Sequence, residues 1–351
     1  MIPNCWYPIA SSPMVRAAPL ALHRMGLRLV VFRGRDGHLR CLRDRCPHRG
    51  VALSRGHVRG DELECPYHGF RFDGAGRCTA MPCEGRAARI PRGLEVEAFP
   101  VREAHGLVWL WWGAPAADGR VESLPPVPWF PALPTRLRHA HGAAMEWPQH
   151  YARAIESNFD LHHGPFVHGN LFSRRATRLD PVEAMVEGDR IELRGTLRPD
   201  DGEAGRAYPF CVEFVAPSLT LIHLTKHLRM VVADCPVDDT HCWRYARYYN
   251  EALPVPGLGK LLAWAMVQFE WRYVQRRQDL PVVATMPSGA PTEGCDKLVR
   301  ADVGTARYRR WRLHRLREAA AHADALPPHV RAGLPGPSPA PRSLPVLCEA
   351  G

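Results

Sequence analysis

Cys46-Pro47-His48-Arg49-Gly50 and Cys65-Pro66-Tyr67-His68-Gly69-Phe70 each set one thiol and one imidazole at the tip of what reads as a hairpin. Together Cys46, His48, Cys65 and His68 form a Cys₂His₂ ligand set, so a metal site is the first reading. Sixteen residues separate His48 from Cys65.

The spacing selects the metal. A zinc finger groups its two Cys in one short motif and its two His in another, commonly on a helix. Here each loop carries one of each. That mixed arrangement suits a [2Fe–2S] cluster of the Rieske type, in which two Cys hold one iron and two His the other. Pro47, Gly50, Pro66 and Gly69 suit two rigid loops closing over such a cluster. A zinc site, or unrelated buried Cys and surface His, are the competing explanations.

The chain outside the loops is of ordinary globular composition. It has 351 residues, 46% apolar and 23% charged, long enough for two cored domains. Its 11 Cys show no dense paired framework, and Met1-Ile2-Pro3-Asn4-Cys5-Trp6 lacks a basic region followed by an apolar run. Both point to a reducing cytoplasm. The net charge of +10 comes from scattered Arg, without the clustered stripe and interleaved aromatics of a nucleic-acid surface. It suits encounter with an acidic protein such as a small ferredoxin, or reflects composition alone. The longest apolar run, Leu258 to Phe269, contains Lys260 and is too short for a membrane span.

Up to about residue 114 the pattern is one of short strands. Leu27 to Arg33 leads through the turn Asp36-Gly37 into His38 to Leu42, and Leu107 to Gly113 closes the region. This predicts a small all-β domain over 1–114, with a Trp cluster in its core or at a domain contact. A Pro-rich stretch, 115–135, reads as the linker. From 136 to 325 the texture changes to a helix over Tyr151 to Phe159, grouped strands between Arg190 and Tyr249, and helices over Leu258 to Gln278 and Tyr308 to His322. Grouped strands plus helices argue α+β, with an antiparallel sheet flanked by helices. Pro256 and Pro281 are read as bounding the long helix, and 326–351, rich in Pro, Ala and Gly, as an unstructured tail.

A second constellation follows the linker. Asp160-Leu161-His162-His163-Gly164-Pro165-Phe166-Val167-His168 packs three His beside two acids, Glu156 and Asp160. Non-haem Fe(II) sites that activate O₂ take two His and one carboxylate on one face of the metal. Taken alone His-x₄-His is a weak pattern, and its spacing leaves His162 open as a ligand.

Both constellations together, about a hundred residues apart, resemble the α subunits of Rieske non-haem iron oxygenases. The resemblance implies that Cys46, His48, Cys65 and His68 hold the [2Fe–2S] cluster and that His163 and His168 hold a mononuclear Fe(II). It implies that Asp160 is the bridge linking a cluster His of one subunit to an iron-ligating His of its neighbour. It places the third iron ligand near the end of a long helix, often after Gln or Glu, which Gln278-Asp279 matches, so Asp279 is the expected ligand. Asp234, Asp238 and Asp239 compete but read as turn residues after a strand. Where many members have Glu-Asn-x-x-Asp this chain has Glu156-Ser157-Asn158-Phe159-Asp160, which puts in doubt only the contact the Asn would make.

Within that family, the length and the opening Trp6-Tyr7-Pro8-Ile9-Ala10 resemble the α-only branch, which includes O- and N-demethylases of aromatic compounds, saxitoxin-type hydroxylases and chlorophyll-pathway oxygenases. The resemblance implies a homotrimer, O₂ as co-substrate, and a small cyclic or aromatic substrate. Phe210, Phe214, Trp243, Phe269, Trp271 and Tyr273 would suit such a substrate, with core packing as the default for each. No G-x-G-x-x-G fingerprint stands between a strand and a helix, so electrons come from a ferredoxin and/or an NAD(P)H-dependent reductase. Two rivals remain. A Rieske electron carrier without oxygenase activity needs only the first domain, and a zinc-dependent nucleic-acid-binding module explains neither the loop spacing nor the second His cluster.

Overall fold

The computed structural model describes residues 1–85, 88–133, 140–200, 204–250, 255, 257–292 and 294–334. Three small antiparallel sheets make up the amino-terminal part. Strands β1 (Cys5–Ser11), β10 (Val101–Ala104) and β11 (Leu107–Trp112) pair in the order β1-β11-β10. Strands β2 (Leu20–Arg24), β3 (Leu27–Arg33), β4 (Leu39–Arg43) and β9 (Ala98–Phe99) form the second sheet. The third holds β5 (His57–Arg59), β6 (Glu62–Glu64), β7 (Arg71–Phe72) and β8 (Cys78–Ala80). Gly37, at φ +84°, supplies the turn between β3 and β4 that a side chain would strain.

The Trp-rich strand β11 is buried along its whole length and pairs with β1 on one side and β10 on the other. The Pro-rich stretch is strapped onto this part. Arg102 and the Trp6 indole both donate to the Pro125 carbonyl at 2.7 and 2.8 Å, and Trp129 stacks on His105 at 4.2 Å. Residues 134–139 lie outside the described part of the chain.

The second part is built on a seven-stranded antiparallel sheet in the order β12-β18-β17-β16-β15-β14-β13. Its strands are β12 (Ala140–Trp147), β13 (Arg178–Glu187), β14 (Arg190–Arg198), β15 (Tyr208–Val215), β16 (Leu219–Thr225), β17 (Leu228–Pro236) and β18 (Cys242–Asn250). Side chains alternate between its faces. Val212 and Phe214 face α1 (Tyr151–Phe159) and α5 (Val303–Ala321), where Phe214 meets Phe159, Tyr308 and Trp311. The opposite face meets the amino-terminal part, where Arg247 donates to the carbonyls of His105 and Gly106. Gly304 sits where α5 crosses α1 and β14. A Cβ there would lie 2.9 Å from Leu193 Cδ2 and 3.1 Å from Phe159 Cβ, so the close approach needs glycine.

Three expectations change. The long helix is not one α-helix ending before Pro281. It runs as α3 (Leu258–Phe269), a π-helix (Glu270–Asp279) and α4 (Leu280–Val283), and Pro281 is the second residue of α4 rather than a stop. Apolar periodicity cannot reveal a shift from i→i+4 to i→i+5 bonding. Pro256 lies outside the described residues.

Secondly, Asp234 is not in a turn. It lies inside β17, fully buried against Arg244. Thirdly, the start of the 326–351 segment is not unstructured. Pro328–Arg331 forms the helical turn α6, and Val330 is fully buried in the core shared with Trp112. His329 Nδ1 reaches Glu97 at 2.7 Å, and its ring edges onto Trp112 and Phe99. Composition misled here because a few apolar side chains anchor an otherwise Pro- and Gly-rich stretch. Residues 335–351 lie outside the described part.

Candidate metal centres

The first candidate centre lies on two loops closed by matching pairs of backbone hydrogen bonds. After β4, Cys46 N–H donates to Val51 O and Gly50 N–H to Cys46 O, both at 2.8 Å. After β6, Cys65 N–H donates to Phe70 O at 2.7 Å and Gly69 N–H to Cys65 O at 3.1 Å. Gly50 and Gly69 adopt φ of +77° and +72°, conformations a side chain would strain. The buried Asp44 carboxylate accepts from the amide and the hydroxyl of Ser54, each at 2.7 Å, and pins the first loop to the turn that follows.

Cys46 and Cys65 are each 2% exposed, whereas His48 is exposed and His68 half-buried. The two imidazoles lie 4.8 Å apart, with His48 stacked on Phe70. Burial pushes the Cys46 thiol up, against the stabilising amides of His48 and Arg49, so a thiolate here needs a cation. The donor set fits a cluster with a thiolate side turned inward and an imidazole side turned outward.

The second candidate centre is mounted on α1. The His150 Nδ1 caps the helix by accepting from Ala152 N–H at 3.1 Å. Charged side chains fix its buried side. Glu156 accepts two bonds from Arg309 of α5, at 2.9 and 2.8 Å. Asn158 donates to Asp234 at 3.1 Å and to Thr220 at 3.3 Å, while Arg244 donates to Asp234 at 2.7 Å and to Asn158 at 3.1 Å. Ser157 turns its hydroxyl to the Ala154 carbonyl at 2.7 Å and accepts from Arg244, so it joins this clamp.

At the exit of α1 the chain turns outward at Asp160 and re-enters the short helix α2 (Gly164–Val167). His163 and His168 flank α2, and Asp279 ends the π-helix opposite them. The three donor atoms form a tight triangle. His163 Nε2 lies 3.2 Å from His168 Nε2 and 3.9 Å from Asp279 Oδ1, and His168 Nε2 lies 3.1 Å from the same oxygen. This is the donor group of two imidazoles and one carboxylate expected for a mononuclear site.

The tautomers follow from the partners. The Asp160 backbone carbonyl, 2.7 Å from His163 Nδ1, can only accept. Gln278 Oε1, 2.9 Å from His168 Nδ1, is held as an acceptor because its amide nitrogen donates to Asn170 at 2.7 Å. Both rings therefore carry their proton on Nδ1 and point bare Nε2 lone pairs at each other and at a carboxylate. With both rings neutral, three inward acceptors face one point and fit a cation.

Asp160 accepts His163 N–H at 3.2 Å and approaches the His163 ring at 3.4 Å. Burial opposes its ionisation, but His163 and His162 outweigh it and hold Asp160 below the usual carboxylate range. His162 faces Asp160 and Asp302 at 3.3 and 3.4 Å, away from the triangle. Among the aromatics named from sequence, Phe214 is core, Trp243 lies under Arg24, and Trp271 packs between sheet and helix. The clamp of Asn158, Asp234 and Arg244 was not singled out in sequence. Its only signal there is a polar residue in an apolar strand.

Residues 5–100 match the Rieske [2Fe-2S] domain. The chain is 31% identical over 237 residues to the vanillate O-demethylase oxygenase subunit of a Pseudomonas species, covering 60% of this chain and 67% of that protein. It is 32% identical over 201 residues to the chloroplastic protein TIC 55 of Arabidopsis thaliana, covering 57% of this chain and 35% of that protein. It is also 37% identical over 224 residues to the chlorophyllide a oxygenase of Chlamydomonas reinhardtii, covering 62% of this chain and 31% of that one. The chain thus spans about a third of the length of these last two relatives.

Among solved structures, NdmA of Pseudomonas putida CBB5 with caffeine superposes at a TM-score of 0.70 with 22% identity, covering 97% of this chain and 98% of that one. Dicamba monooxygenase with non-heme iron and dicamba superposes at 0.64 with 20% identity, covering 92% and 99%. These two show the fold. Because the match to the demethylase subunit runs through two thirds of that protein's length, and the loop residues fall inside the matched domain, the chain belongs to the Rieske oxygenase α subunits.

Proposed function

We propose that this chain is the terminal component of a Rieske non-haem iron monooxygenase or dioxygenase, which uses O₂ and externally supplied electrons to oxidise a C–H bond of a small cyclic or aromatic molecule. The observation that carries the reading is the triangle of His163, His168 and Asp279, with both Nδ1 protons committed outward. Electrons come from a ferredoxin and/or an NAD(P)H-dependent reductase, the assembly is a homotrimer, and the setting is cytoplasmic. No helix among the described residues is long and apolar enough to cross a membrane.

Cys46, His48, Cys65 and His68 would hold the [2Fe–2S] cluster, and His163, His168 and Asp279 the Fe(II). When bound, these groups supply one-electron transfer and O₂ activation respectively. The residues of the chain do the positioning. Gln278 and the Asp160 carbonyl fix the tautomer and rotation of the two imidazoles, which raises their basicity as ligands. Asp160, kept ionised, holds the His163 backbone and side chain together and gives a cluster His of a neighbouring subunit a carboxylate to meet. Buried Trp271 and Val274 keep water from the back of the π-helix that carries Asp279.

The test is chemical. Purified protein should be brown and contain iron and acid-labile sulfide. Supplied with a generic ferredoxin, its reductase and a panel of methoxy- and methyl-substituted aromatics, it should yield oxygenated or demethylated products by mass spectrometry. A colourless protein with stoichiometric zinc, or O₂ uptake independent of every substrate offered, would sink the proposal.

A further inference from the structure

The sheet face opposite α1 carries a second group of unlike donors. In the β15–β16 register Cys211 stands directly across from His223, and Glu213 lies two residues along on the same face. His223 Nε2 is 2.7 Å from Glu213 Oε1, and the Cys211 sulfur, Glu213 oxygen and His223 nitrogen all lie within 4.8 Å of one another. On β14, Glu192 stands directly across from Glu213, with Oε1 4.0 Å from Cys211 Sγ. Three neighbouring strands thus present one sulfur, one nitrogen and two carboxylates at a single patch.

This patch is separate from the iron site by the pleat of the sheet. Phe210 and Phe214, of opposite parity to Cys211 and Glu213, reach Phe172 and Phe159 on the α1 side, and Phe172 in turn meets His168. Two like charges directly opposite each other, Glu192 and Glu213, destabilise a ladder unless something answers them. Arg194 answers Glu192 and His223 answers Glu213. Burial and both carboxylates push the Cys211 thiol up, opposed by Arg194, so a proton occupies the sulfur until a stronger Lewis acid arrives.

We propose that Cys211, Glu213 and His223, with Glu192 beside them, form a second metal site for a borderline-soft divalent cation, zinc in the first instance, distinct from the oxygen-activating centre. One sulfur and one imidazole select against Mg²⁺ and Ca²⁺, which take oxygen ligands. Sulfur, nitrogen and oxygen from rigid strands suit the four-coordinate preference of Zn²⁺, with solvent or Glu192 completing the set. The side chains of Glu213 and His223 are 27% and 28% exposed, so the cation has a way in. Binding replaces the Cys211 thiol proton, which leaves to solvent, and forms no redox step. It ties β15 to β16, and β14 as well where Glu192 completes the set, next to β17, whose Arg229 holds the linker by the Ala132 carbonyl at 2.8 Å.

The experiment uses the full-length holoprotein with cluster and iron retained. It is incubated with zinc, desalted, and examined by elemental analysis and zinc-edge X-ray absorption. The result expected is one retained zinc with a single sulfur neighbour at about 2.3 Å. Cys211→Ser and His223→Ala should each weaken retention by at least about tenfold, with the visible cluster spectrum unchanged as the folding control. Glu213→Gln, which keeps its size, should weaken it likewise and serves if either of the others fails to fold. The proposal is overturned if no zinc is retained, or if its neighbours are nitrogen and oxygen only, as at the iron triangle. Two sulfur neighbours, the mark of zinc in the cluster loops, or wild-type retention in the variants, overturn it equally. None of these readouts depends on oxygenase turnover.

Discussion

Gln278 accepts the Nδ1 proton of His168 at 2.9 Å and, by its amide nitrogen, donates to Asn170 at 2.7 Å, so one side chain decides which nitrogen of His168 faces inward. Gln278→Leu keeps bulk and removes the acceptor. Iron affinity should fall about 10–100-fold, as is usual when the partner of a ligating imidazole is lost. Equilibrium iron titration of the wild type and variant checks this, with the cluster spectrum unchanged. Equal affinities would show that the His168 tautomer is set by the metal alone.

Asp279 and Asp160 should fail differently. Asp279→Ala removes the one carboxylate of the triangle, and mononuclear iron should be lost while cluster absorbance stays. Asp160→Ala should leave both metals largely bound and lower turnover about 10–100-fold, because it touches a ligand from outside. Iron counts and single-turnover product yields separate the two. Full activity in Asp160→Ala would remove it from the mechanism.

Acid should loosen α1 through its cap. Burial, then Arg312 and Arg153, push the His150 imidazole down to about 2, and its Nδ1 must stay bare to accept from Ala152. In the unfolded chain the ring titrates near its ordinary value of about 6.5. The unfolded state thus binds the extra proton first, so this stability is complete above about 6.5 and is lost as pH falls toward about 2, at up to about 1.4 kcal/mol per pH unit. His150→Asn keeps an N-cap acceptor without a titrating ring. Urea midpoints between pH 7 and 4.5 should fall less steeply in the variant.

Asp234→Ala strands a buried cation. Arg244 and Asp234 are 5% and 0% exposed, and removing one partner of such a pair costs about 3–5 kcal/mol. The cost should appear in thermal or urea unfolding, with lowered iron retention because Arg244 also holds Ala154 and Asn158 of α1. Asp234→Asn, which keeps an acceptor, should recover part of both.

The candidate residues of both centres stand out in the sequence because the chemistry expected of them depends on short spacings. Cys-x-His, Cys-x₂-His and His-x₄-His place donors on one loop or one turn, whereas Asp279 was expected only through the family resemblance, as an acid after Gln near the end of a long helix. Less was legible wherever the decisive contact joins distant segments. Asp234 read as a turn acid because its partner, Arg244, lies on the next strand, and Val330 read as tail because the core it enters, with Trp112 in it, is built by residues far earlier in the chain. The π-helix was invisible because a shift of hydrogen-bond register changes no residue type, and Cys211 and His223 meet only once β15 and β16 are paired.

The iron triangle has two kinds of mount. His163 and His168 bracket α2, a few residues beyond the helix that buried charges tie to the sheet and to α5, whereas Asp279 ends a run of widened helical turns between two ordinary ones. The triangle therefore takes two corners from one short segment and the third from a distant helix. A metal held there would thus cross-link two stretches of chain that are far apart in sequence.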